Sequence, residues 1–309
     1  MSDFQSLGLS NTLLRAVEAE GYTTPTPVQQ QSIPPLLEGR DVLGVAQTGT
    51  GKTAAFALPV LQIMNRKKPQ GKRFIRALIL SPTRELAAQI DERFAAYSEH
   101  MDLRHRVIFG GVNQNPQVRA LQKGLDILVA TPGRLLDLIG QGHIDITRVE
   151  FFVLDEADRM LDMGFFPDVL WIFERTVNRE QTLLFSATFP QEVLDAAEEF
   201  LNNPVHVMSE DLEVEVPEIE QYAIKVGRAN KLWALGRIIG SAGGDSQILI
   251  FTNTKRMVEL IVERLGKFRF RAVGLHGDMP QNKRERVLDS FRDGSETVSY
   301  THLTLPTKA

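Results

Sequence analysis

Short apolar runs alternate with amphipathic stretches from residue 42 onward. Runs of four or five apolar or β-branched residues are typical of buried strands, and apolar residues at helical spacing are typical of amphipathic helices. The predicted strands are Val42–Ala46, Ala77–Leu80, Arg106–Phe109, Ile127–Ala130, Phe151–Leu154, Thr182–Phe185 and Val205–Val207. The predicted helices between them span residues 54–64, 84–98, 115–123, 133–140, 166–177 and 190–201. This alternation predicts an α/β fold, in which helices cover both faces of a parallel sheet.

The first 40 residues predict two further helices. One begins after Ser10. The other follows a Pro-rich turn over residues 21–29, and this second helix ends near Gly39. Gln29, in the second of these helices, has two interpretations. It is either an ordinary helix-surface residue or a buried carboxamide whose donor and acceptor match the N6 and N7 atoms of adenine. The spacing leaves both interpretations open.

A second α/β unit follows an acidic stretch. Residues 210–221 are acidic and contain a proline, which suits a linker between domains. Beyond it, the predicted helices span residues 231–240, 255–267 and 281–292, and the predicted strands are Gln247–Phe251 and Ala272–Leu275. The predicted division is a first domain over residues 1–208, a linker over 209–229, a partial second domain over 230–296 and a tail over 297–309. A chain of 309 residues has room for these two domains.

Residues 46–53, which read AQTGTGKT, join a predicted strand to a predicted helix. A helix N-terminus leaves backbone N–H groups unpaired and carries partial positive charge, so it suits a phosphate group. Gly49 and Gly51 let the backbone approach the phosphate oxygens. Lys52 reaches the β- and γ-phosphates, and the Thr53 hydroxyl ligates Mg²⁺. The usual first glycine of this pattern is Ala46 here, and the alternative to a phosphate site is a plain loop. The residues expected around the phosphates are Ala46, Gln47, Thr48, Gly49, Thr50, Gly51, Lys52 and Thr53.

Two carboxylates directly follow the apolar run Phe151–Leu154. Asp155 is placed to hold Mg²⁺ through water, and Glu156 is placed to orient or deprotonate an attacking water. The alternative is an acidic helix N-terminus that the helix dipole stabilises. The upstream Gly-Lys-Thr sequence favours the nucleotide site.

Four other polar or glycine-containing segments follow predicted strands. Ser186–Thr188 supplies two hydroxyl groups that either hydrogen-bond the acidic segment or cap a helix. Pro82–Ala87, Gly110–Gly111 and Thr131–Arg134 combine hydroxyl groups, arginines or bare backbone N–H groups with a bend. Such segments suit sugar-phosphate contacts, which give affinity without reading sequence. Each of them taken singly also fits an ordinary turn.

The amino-acid composition mainly excludes certain kinds of site and certain classes of protein. The chain has no cysteine, which excludes disulfides, zinc–thiolate sites and a cysteine nucleophile and fits a cytoplasmic protein. It has no long apolar run and no basic-then-apolar N-terminal segment, so neither a membrane span nor a secretory signal is expected. The net charge is −4, so nucleic-acid binding would depend on locally placed cations. The Lys- and Arg-rich residues 65–76 are interpreted as a solvated loop rather than a nucleic-acid patch.

Seven short segments occur along the chain in the following order: GYTTPTPVQ (21–29), AQTGTGKT (46–53), PTRELA (82–87), GG (110–111), TPGR (131–134), DEAD (155–158) and SAT (186–188). Together they resemble the DEAD-box family of ATP-dependent RNA helicases. The resemblance extends from residue 4 to about residue 292, and the sequences around TPGR and DEAD are most similar to the bacterial RhlE-type group. It implies a RecA-like P-loop NTPase sheet, followed by an incomplete second RecA-like lobe, that acts on ATP–Mg²⁺ and on single-stranded RNA or short RNA duplexes.

The resemblance also implies an adenine and phosphate site. Phe4 would stack on adenine, while Thr24 and Gln29 would read its edge. Lys52 would contact the phosphates, and Thr53 and Asp155 would be the metal ligands.

The same resemblance assigns the chemistry and the RNA contacts. Asp155 and Glu156 would be the metal-site and catalytic carboxylates, and Lys52 would share in catalysis. Asp158 would pair with Ser186 and Thr188 and so couple hydrolysis to RNA. The residues that would touch the RNA backbone are Pro82, Thr83, Arg84, Gly111, Thr131, Gly133 and Arg134. In the second domain, the segments that resemble RNA-facing and interdomain motifs are Ile250–Asn253 and His276–Asp278, with Gln281 and Arg284.

The resemblance weakens after Gly294. The family continues there with a strand, an Ala-Thr-Asp-type motif and an Arg-rich motif that supplies an arginine finger, whereas this sequence reads SETVSYTHLTLPTKA. A truncated or misjoined reading frame with foreign residues from near Thr297 is therefore expected, the alternative being a genuine divergent tail. Because an arginine finger is worth on the order of 10³-fold or more, we expect this polypeptide to bind ATP and RNA with little turnover.

Three functions are compatible with these residues. The first is an RNA-stimulated ATPase that unwinds short duplexes, the second is a non-catalytic RNA or nucleotide clamp, and the third is a DNA translocase on the same scaffold. The resemblance favours the first for the family. Stimulation of ATP hydrolysis by RNA rather than by DNA distinguishes the first function from the third. ATP turnover distinguishes the first function from the second.

Overall fold

The computed structural model describes residues 3–47, 49–67, 71–208, 220, 222–242, 246–294 and 297–300. The chain divides into two compact units, Met1–Val214 and Glu215–Ala309. Each unit has its own sheet. The finer predicted division at residues 208, 229 and 296 stays a prediction.

The first unit is a seven-stranded parallel sheet with helices on both faces. Its strands are β1 (Val42–Val45), β2 (Ala77–Leu80), β3 (His105–Ile108), β4 (Ile127–Ala130), β5 (Phe151–Asp155), β6 (Gln181–Ser186) and β7 (Val205–Met208). Its helices are α1 (Asn11–Ala19), α2 (Pro27–Leu37), α3 (Lys52–Arg66), α4 (Arg84–Ser98), α5 (Asn115–Gln122), α6 (Pro132–Gly140), α7 (Ala157–Asp162), α8 (Phe166–Arg175) and α9 (Gln191–Phe200). The strand order is β3-β4-β2-β5-β6-β1-β7, and all the pairings are parallel. The predicted parallel α/β fold is confirmed.

Two apolar clusters lie on opposite faces of this sheet because successive residues of a strand point to opposite sides. In β6, Phe185 belongs to the cluster that α1 to α4 cover, and its ring lies 5.7 Å from that of Phe56. In β5, Phe152 belongs to the cluster that α6 to α9 cover, and its ring lies 5.5 Å from that of Phe173. Burying one such side chain contributes about 1.5–3 kcal/mol. The central strands are therefore apolar on both sides, as their continuous apolar runs predict.

A buried ion pair lies at the amino-terminal edge of the sheet. The Arg76 guanidinium donates two hydrogen bonds to the Glu150 carboxylate, at 2.9 and 2.8 Å, and a third to the Met64 carbonyl at 3.1 Å. The Arg76 side chain is 2% exposed. The interpretation of residues 65–76 as a solvated loop is therefore wrong at both ends, because α3 continues to Arg66 and Arg76 is buried.

The second unit has a three-stranded parallel sheet with order β8-β10-β9. Its strands are β8 (Leu249–Phe251), β9 (Ala272–Leu275) and β10 (Thr297–Tyr300), and its helices are a 3₁₀ turn at Arg228–Asn230, α10 (Lys231–Ser241), α11 (Lys255–Lys267) and α12 (Gln281–Arg292). Ile239, Ile261 and Leu265 form one apolar cluster, and Leu275, Met279 and Val287 form another.

The predicted tail, in which foreign residues were expected from near Thr297, begins with a strand. Thr297–Tyr300 pairs with β8 on one side and with β9 on the other, so it takes the place of the strand with which the family continues after Gly294. The Thr-Val-Ser-Tyr sequence has the β-branched and aromatic residues that strands favour. Residues 301–309 and most of the predicted linker, residues 209–219, lie outside the described residues. Within the described ranges, no helix combines the length and the apolar character that crossing a membrane requires.

Candidate functional site

The strand order brings the predicted nucleotide residues to one edge of the first sheet. β5, β6 and β1 are neighbours, and the DEAD, SAT and AQTGTGKT segments follow them in that order. Because the strands are parallel, their carboxyl ends share one edge, where ligands of such sheets bind.

The segment after β1 forms a tight turn that leads directly into α3. The Thr50 N–H and hydroxyl both donate to the Gln47 carbonyl, at 3.4 and 2.7 Å. Gly49 and Gly51 have φ values of 88° and 89°, a region that favours glycine. Gly51 is the N-cap residue, so the free N–H groups at the start of α3 come directly after the turn. Thr48, also predicted here, lies outside the described residues.

Lys52 is the first residue of α3, and its ammonium group is buried. The side chain is 6% exposed, and Nζ lies 3.9 Å from Asp155 Oδ1. Among the described residues this Nζ has no hydrogen-bond partner. A buried ammonium without hydrogen bonds is costly, and an anionic oxygen at this place would satisfy it. The turn and Lys52 therefore fit a phosphate group.

Asp155 ends β5 and is also buried. Burial, with a smaller contribution from the Glu156 carboxylate, raises the pKa of Asp155 to about 6, although the Lys52 ammonium acts in the opposite direction. A nearby cation would therefore favour the ionised carboxylate. Among the described residues, no three His, Asp or Glu side chains cluster closely enough to hold a metal by themselves. Asp155 and the Thr53 hydroxyl nevertheless fit Mg²⁺, which commonly uses one or two carboxylates together with substrate phosphates.

Glu156 has an unusual backbone conformation and a cationic partner. It is the N-cap residue of α7 with φ 55° and ψ 54°, a left-handed conformation that costs a non-glycine residue on the order of 1–3 kcal/mol. Arg159 Nη1 donates to Glu156 Oε2 at 3.2 Å, from the next turn of the chain. Arg159 was not among the predicted site residues. The sequence did contain an indication of this contact. Arg159 follows Glu156 by three residues, and side chains at this spacing lie close together in a helix.

Asp158 joins the acidic segment to the segment after β6. The Thr188 N–H and hydroxyl donate to Asp158 Oδ2 at 2.9 and 2.7 Å, and the Asp158 N–H donates to Ser186 Oγ at 3.1 Å. Although burial opposes it, hydrogen bonds from Thr188 and Ser186 lower the pKa of Asp158. The Ser186 carbonyl also accepts a hydrogen bond from the Ala46 N–H at 3.0 Å. The predicted contact of Asp158 with Ser186 and Thr188 is present, while its role in coupling stays a prediction.

The predicted adenine residues occupy different environments. Gln29 is buried: its Oε1 accepts from the Thr26 N–H at 2.9 Å, and its Nε2 donates to the Gly51 carbonyl at 3.2 Å. Because a carboxamide has two N–H groups and two lone pairs, a donor and an acceptor position remain. Phe4 is 5% exposed, with its ring 6.5 Å from that of Tyr22. Thr24 is exposed. Their contacts with adenine stay predictions.

The predicted RNA segments meet at the other half of the same edge. They follow β2, β3 and β4, which are neighbours in the sheet. The Arg84 guanidinium lies so close to Gly111 that a Cβ atom there would overlap it, and Gly111 has φ 75°. Arg134 Nη2 donates to the Val112 carbonyl at 3.2 Å, while its Nη1 is buried and has no hydrogen-bond partner among the described residues. The arrangement therefore places two arginines beside a glycine turn. The remaining residues predicted for this surface are Pro82, Thr83, Thr131 and Gly133, which belong to the same three segments.

Of the residues predicted in the second unit, His276, Asp278 and Gln281 lie around the start of α12, whereas Ile250–Asn253 lies at the end of β8. Lys255 Nζ lies 2.5 Å from Asp278 Oδ1, and Gln281 Nε2 donates to Glu285 Oε1 at 3.2 Å. His276 Nδ1 and Gln281 Oε1 are buried without a hydrogen-bond partner among the described residues. Their role stays a prediction.

Known proteins resemble this chain over nearly its whole length. A DEAD-box ATP-dependent RNA helicase CshA of Bacillus cereus is 42% identical over 298 residues, which are 96% of this chain and 56% of that protein. A CshA protein of Streptococcus pneumoniae is 41% identical over 295 residues, 96% of this chain and 55% of that protein. The chain thus spans little more than half the length of these curated relatives. They are described as CshA proteins, and the finer similarity to the RhlE-type group stays a prediction.

Solved structures show the same fold. The crystal structure of a DEAD box protein from the hyperthermophile Methanococcus jannaschii matches with a TM-score of 0.63 at 34% identity, covering 97% of this chain and 79% of that one. That of a hypothetical ATP-dependent RNA helicase from Sulfolobus tokodaii matches with a TM-score of 0.62 at 32% identity, covering 95% and 82%.

Two family profiles match consecutive parts of the chain. The helicase conserved C-terminal domain matches residues 230–300, which include β10. The DEAD/DEAH box helicase profile matches residues 26–196, more than half of the sequence. The chain therefore belongs to the DEAD/DEAH box helicase family.

Proposed function

We propose that the chain belongs to an ATP-dependent RNA helicase, an enzyme that hydrolyses ATP in response to RNA and separates short RNA duplexes locally, and that these 309 residues bind ATP and RNA with little turnover. The observation that carries the proposal is the buried Lys52 ammonium, which lacks a hydrogen-bond partner among the described residues and lies 3.9 Å from Asp155 at the start of a helix. A triphosphate would satisfy that ammonium and the free N–H groups of α3 together.

The residues around Lys52 supply the parts that phosphoryl transfer needs. The glycine turn and α3 would hold the phosphates. Thr53 and Asp155 would hold Mg²⁺, which would neutralise part of the negative charge of the phosphates. Glu156 would orient or deprotonate the attacking water. Arg159 is hydrogen-bonded to the Glu156 carboxylate at 3.2 Å and so restricts where that carboxylate points.

The RNA segments would bind the backbone of one strand. Arg84 and Arg134 supply positive charge, and the turn at Gly111 supplies backbone N–H groups near them. A strand that is held and bent along its backbone loses pairing locally, and contacts to the 2′-hydroxyl favour RNA over DNA. ATP binding would stabilise the RNA-bound state, and hydrolysis would release it. The absence of cysteine supports a cytoplasmic location for this reaction.

The proposal is tested by ATP retention in a Lys52→Ala variant. Removal of a charge-assisted contact is expected to weaken ATP binding by about 10- to 100-fold. Equilibrium binding of labelled ATP with Mg²⁺ measures this. The matched control is Lys67→Ala, because Lys67 directly follows α3 but is largely exposed. Equal retention by Lys52→Ala and the parent protein would overturn the ATP site.

Stimulation by nucleic acid tests the RNA part of the proposal. Phosphate release from the parent protein is expected to rise with single-stranded RNA and to stay near its basal rate with DNA of the same sequence. Equal stimulation by DNA would favour a translocase. Retained ATP and RNA binding without turnover would favour a clamp.

Gly111→Ala is expected to weaken RNA binding by on the order of tenfold, because a Cβ atom at this position displaces the Arg84 guanidinium. The left-handed backbone at Gly111 adds about 1–2 kcal/mol of strain for alanine. Fluorescence anisotropy with a labelled RNA oligonucleotide measures the affinity.

Gly110→Ala is the matched control for that variant. A Cβ atom at Gly110 meets no heavy atom within 4 Å, and its backbone is not left-handed. Its RNA affinity is expected to equal that of the parent protein. If the two alanine variants bound RNA equally well, Arg84 would not depend on the glycine turn.

A further inference from the structure

The first unit has a cavity of about 270 Å³ at the edge of the sheet opposite the candidate site. Its walls come from the residues that precede β2, β4 and β5, numbered 72–75, 121–125 and 143–148. The candidate phosphate, metal and RNA residues lie at the carboxyl ends of strands, whereas these residues precede strands. The cavity is therefore separated from the candidate site by the length of the strands.

The floor of this cavity is apolar. Ile75, Leu125 and Ile144 line it, and each is less than 8% exposed. Leu121, which is partly buried, lies beside them. An apolar side chain that enters the cavity would leave water on contact with this floor, which is favourable by about 25 cal/mol per Å² buried.

The rim of the cavity is cationic. Lys72 and Arg148 are exposed, and neither forms an ion pair within 4 Å among the described residues. Arg73 also lines the cavity, but it is paired with Asp102 and Asp126. Asp145 is the single carboxylate of the lining, and hydrogen bonds from Thr147, together with the nearby Arg148 guanidinium, hold its pKa below the usual value. The two exposed cations outnumber this one anion.

The lining suits a peptide better than a nucleic acid. Phe74 is the aromatic residue of the wall, and the Arg148 guanidinium already covers its ring at 3.5 Å. A nucleotide base would have to displace that arginine before it could stack. The buried aliphatic floor instead matches an apolar side chain, and the cationic rim matches carboxylates on either side of it.

We propose that this cavity, lined by Lys72, Arg148 and the floor residues Ile75, Leu125 and Ile144, binds an acidic peptide segment of a partner protein. One apolar side chain of the segment enters the cavity, and flanking Asp or Glu carboxylates pair with Lys72 and Arg148. The occupant is thus a short linear segment rather than a folded surface. Its binding does not require the ATP site.

The test uses a panel of fluorescein-labelled pentapeptides, each with one Leu, Ile, Met, Phe or Trp between two acidic residues on either side. Saturable binding to the full 309-residue chain is expected for at least one peptide, measured by fluorescence anisotropy without nucleotide. Arg148→Glu and Lys72→Glu are each expected to weaken it by on the order of tenfold or more, because each replaces a charge-assisted contact with repulsion.

Arg175→Glu is the matched control, because Arg175 also stacks on an aromatic ring, that of Trp171 at 3.5 Å, but does not line the cavity. It is expected to bind the peptide as the parent does, and unchanged urea midpoints show that all three variants fold. Four outcomes would overturn the proposal: no saturable binding up to about 1 mM, the weak end of specific affinities; equal binding of lysine-flanked peptides; unchanged binding in both rim variants; or loss of RNA oligonucleotide binding alone.

Discussion

Replacing Glu156 with Gln is expected to lower ATP turnover by about 10²- to 10⁴-fold while ATP affinity stays close to that of the parent protein. Gln keeps the size of the side chain and removes the carboxylate that would accept a proton from the attacking water. Glu156 directly follows β5 and is the neighbour of Asp155, whose carboxylate lies 3.9 Å from Lys52 Nζ. Nothing in the substitution removes a contact to the phosphates, so binding and turnover are expected to separate.

The measurement is single-turnover phosphate release with protein in excess over labelled ATP and with saturating RNA. This arrangement records even slow hydrolysis, which suits a chain for which little turnover is predicted. Glu174→Gln is the matched control, since Glu174 is an exposed residue of α8 away from the site. Equal phosphate release by Glu156→Gln and the parent protein would contradict the catalytic role and would favour a nucleotide clamp.

Arg76→Ala is expected to destabilise the first unit by about 3–5 kcal/mol, because it leaves Glu150 without its partner at the buried edge of the sheet. The lost contacts are two hydrogen bonds to Glu150 and one to the Met64 carbonyl. Glu150 is 19% exposed, so water relieves part of the cost and the lower end of the range is expected.

Urea unfolding of the first unit measures this loss. The chain has two tryptophans, Trp171 in the first unit and Trp233 in the second, so a Trp233→Phe background lets Trp171 report the first unit alone. Lys67→Ala is the control, because the Lys67–Glu180 pair is largely exposed and is expected to contribute less than about 1 kcal/mol. A loss for Arg76→Ala no larger than that of Lys67→Ala would show that the buried pair does not stabilise the sheet.

The strands were predictable from sequence where apolar runs are continuous. β2 and β4 begin and end at the predicted residues because they are buried on both faces. β3 is an edge strand with exposed and half-buried residues, and it begins one residue earlier than predicted, at His105. The six-residue helix α7 was not predicted because it is too short for an apolar periodicity, and β10 lacks any apolar run. Their formation depends on neighbours that lie far away in the sequence.

The candidate site was predictable as a set of segments but not as a set of contacts. Motif order and the parallel sheet together indicate that the segments after β1, β5 and β6 meet at one edge. The hydrogen bonds of Gln29 with Gly51 and of Arg159 with Glu156, and the packing of Arg84 on Gly111, depend on side-chain positions in the folded unit. The burial of Arg76 is of the same kind, since a charged residue before a strand gives no sign of its partner.

Ser186 is hydrogen-bonded to two loops at once, through its carbonyl to Ala46 and through its hydroxyl to the N–H of Asp158. If an anion that binds the glycine turn displaces the turn, the displacement therefore reaches the backbone of the acidic residues through Ser186. A mutation that removes the serine hydroxyl would remove the contact to the Asp158 N–H but would leave the strand and the two Thr188 hydrogen bonds to Asp158 in place. A link between the two segments that Ser186 contacts would then rest on the Thr188 hydrogen bonds to Asp158, all of them within the first unit.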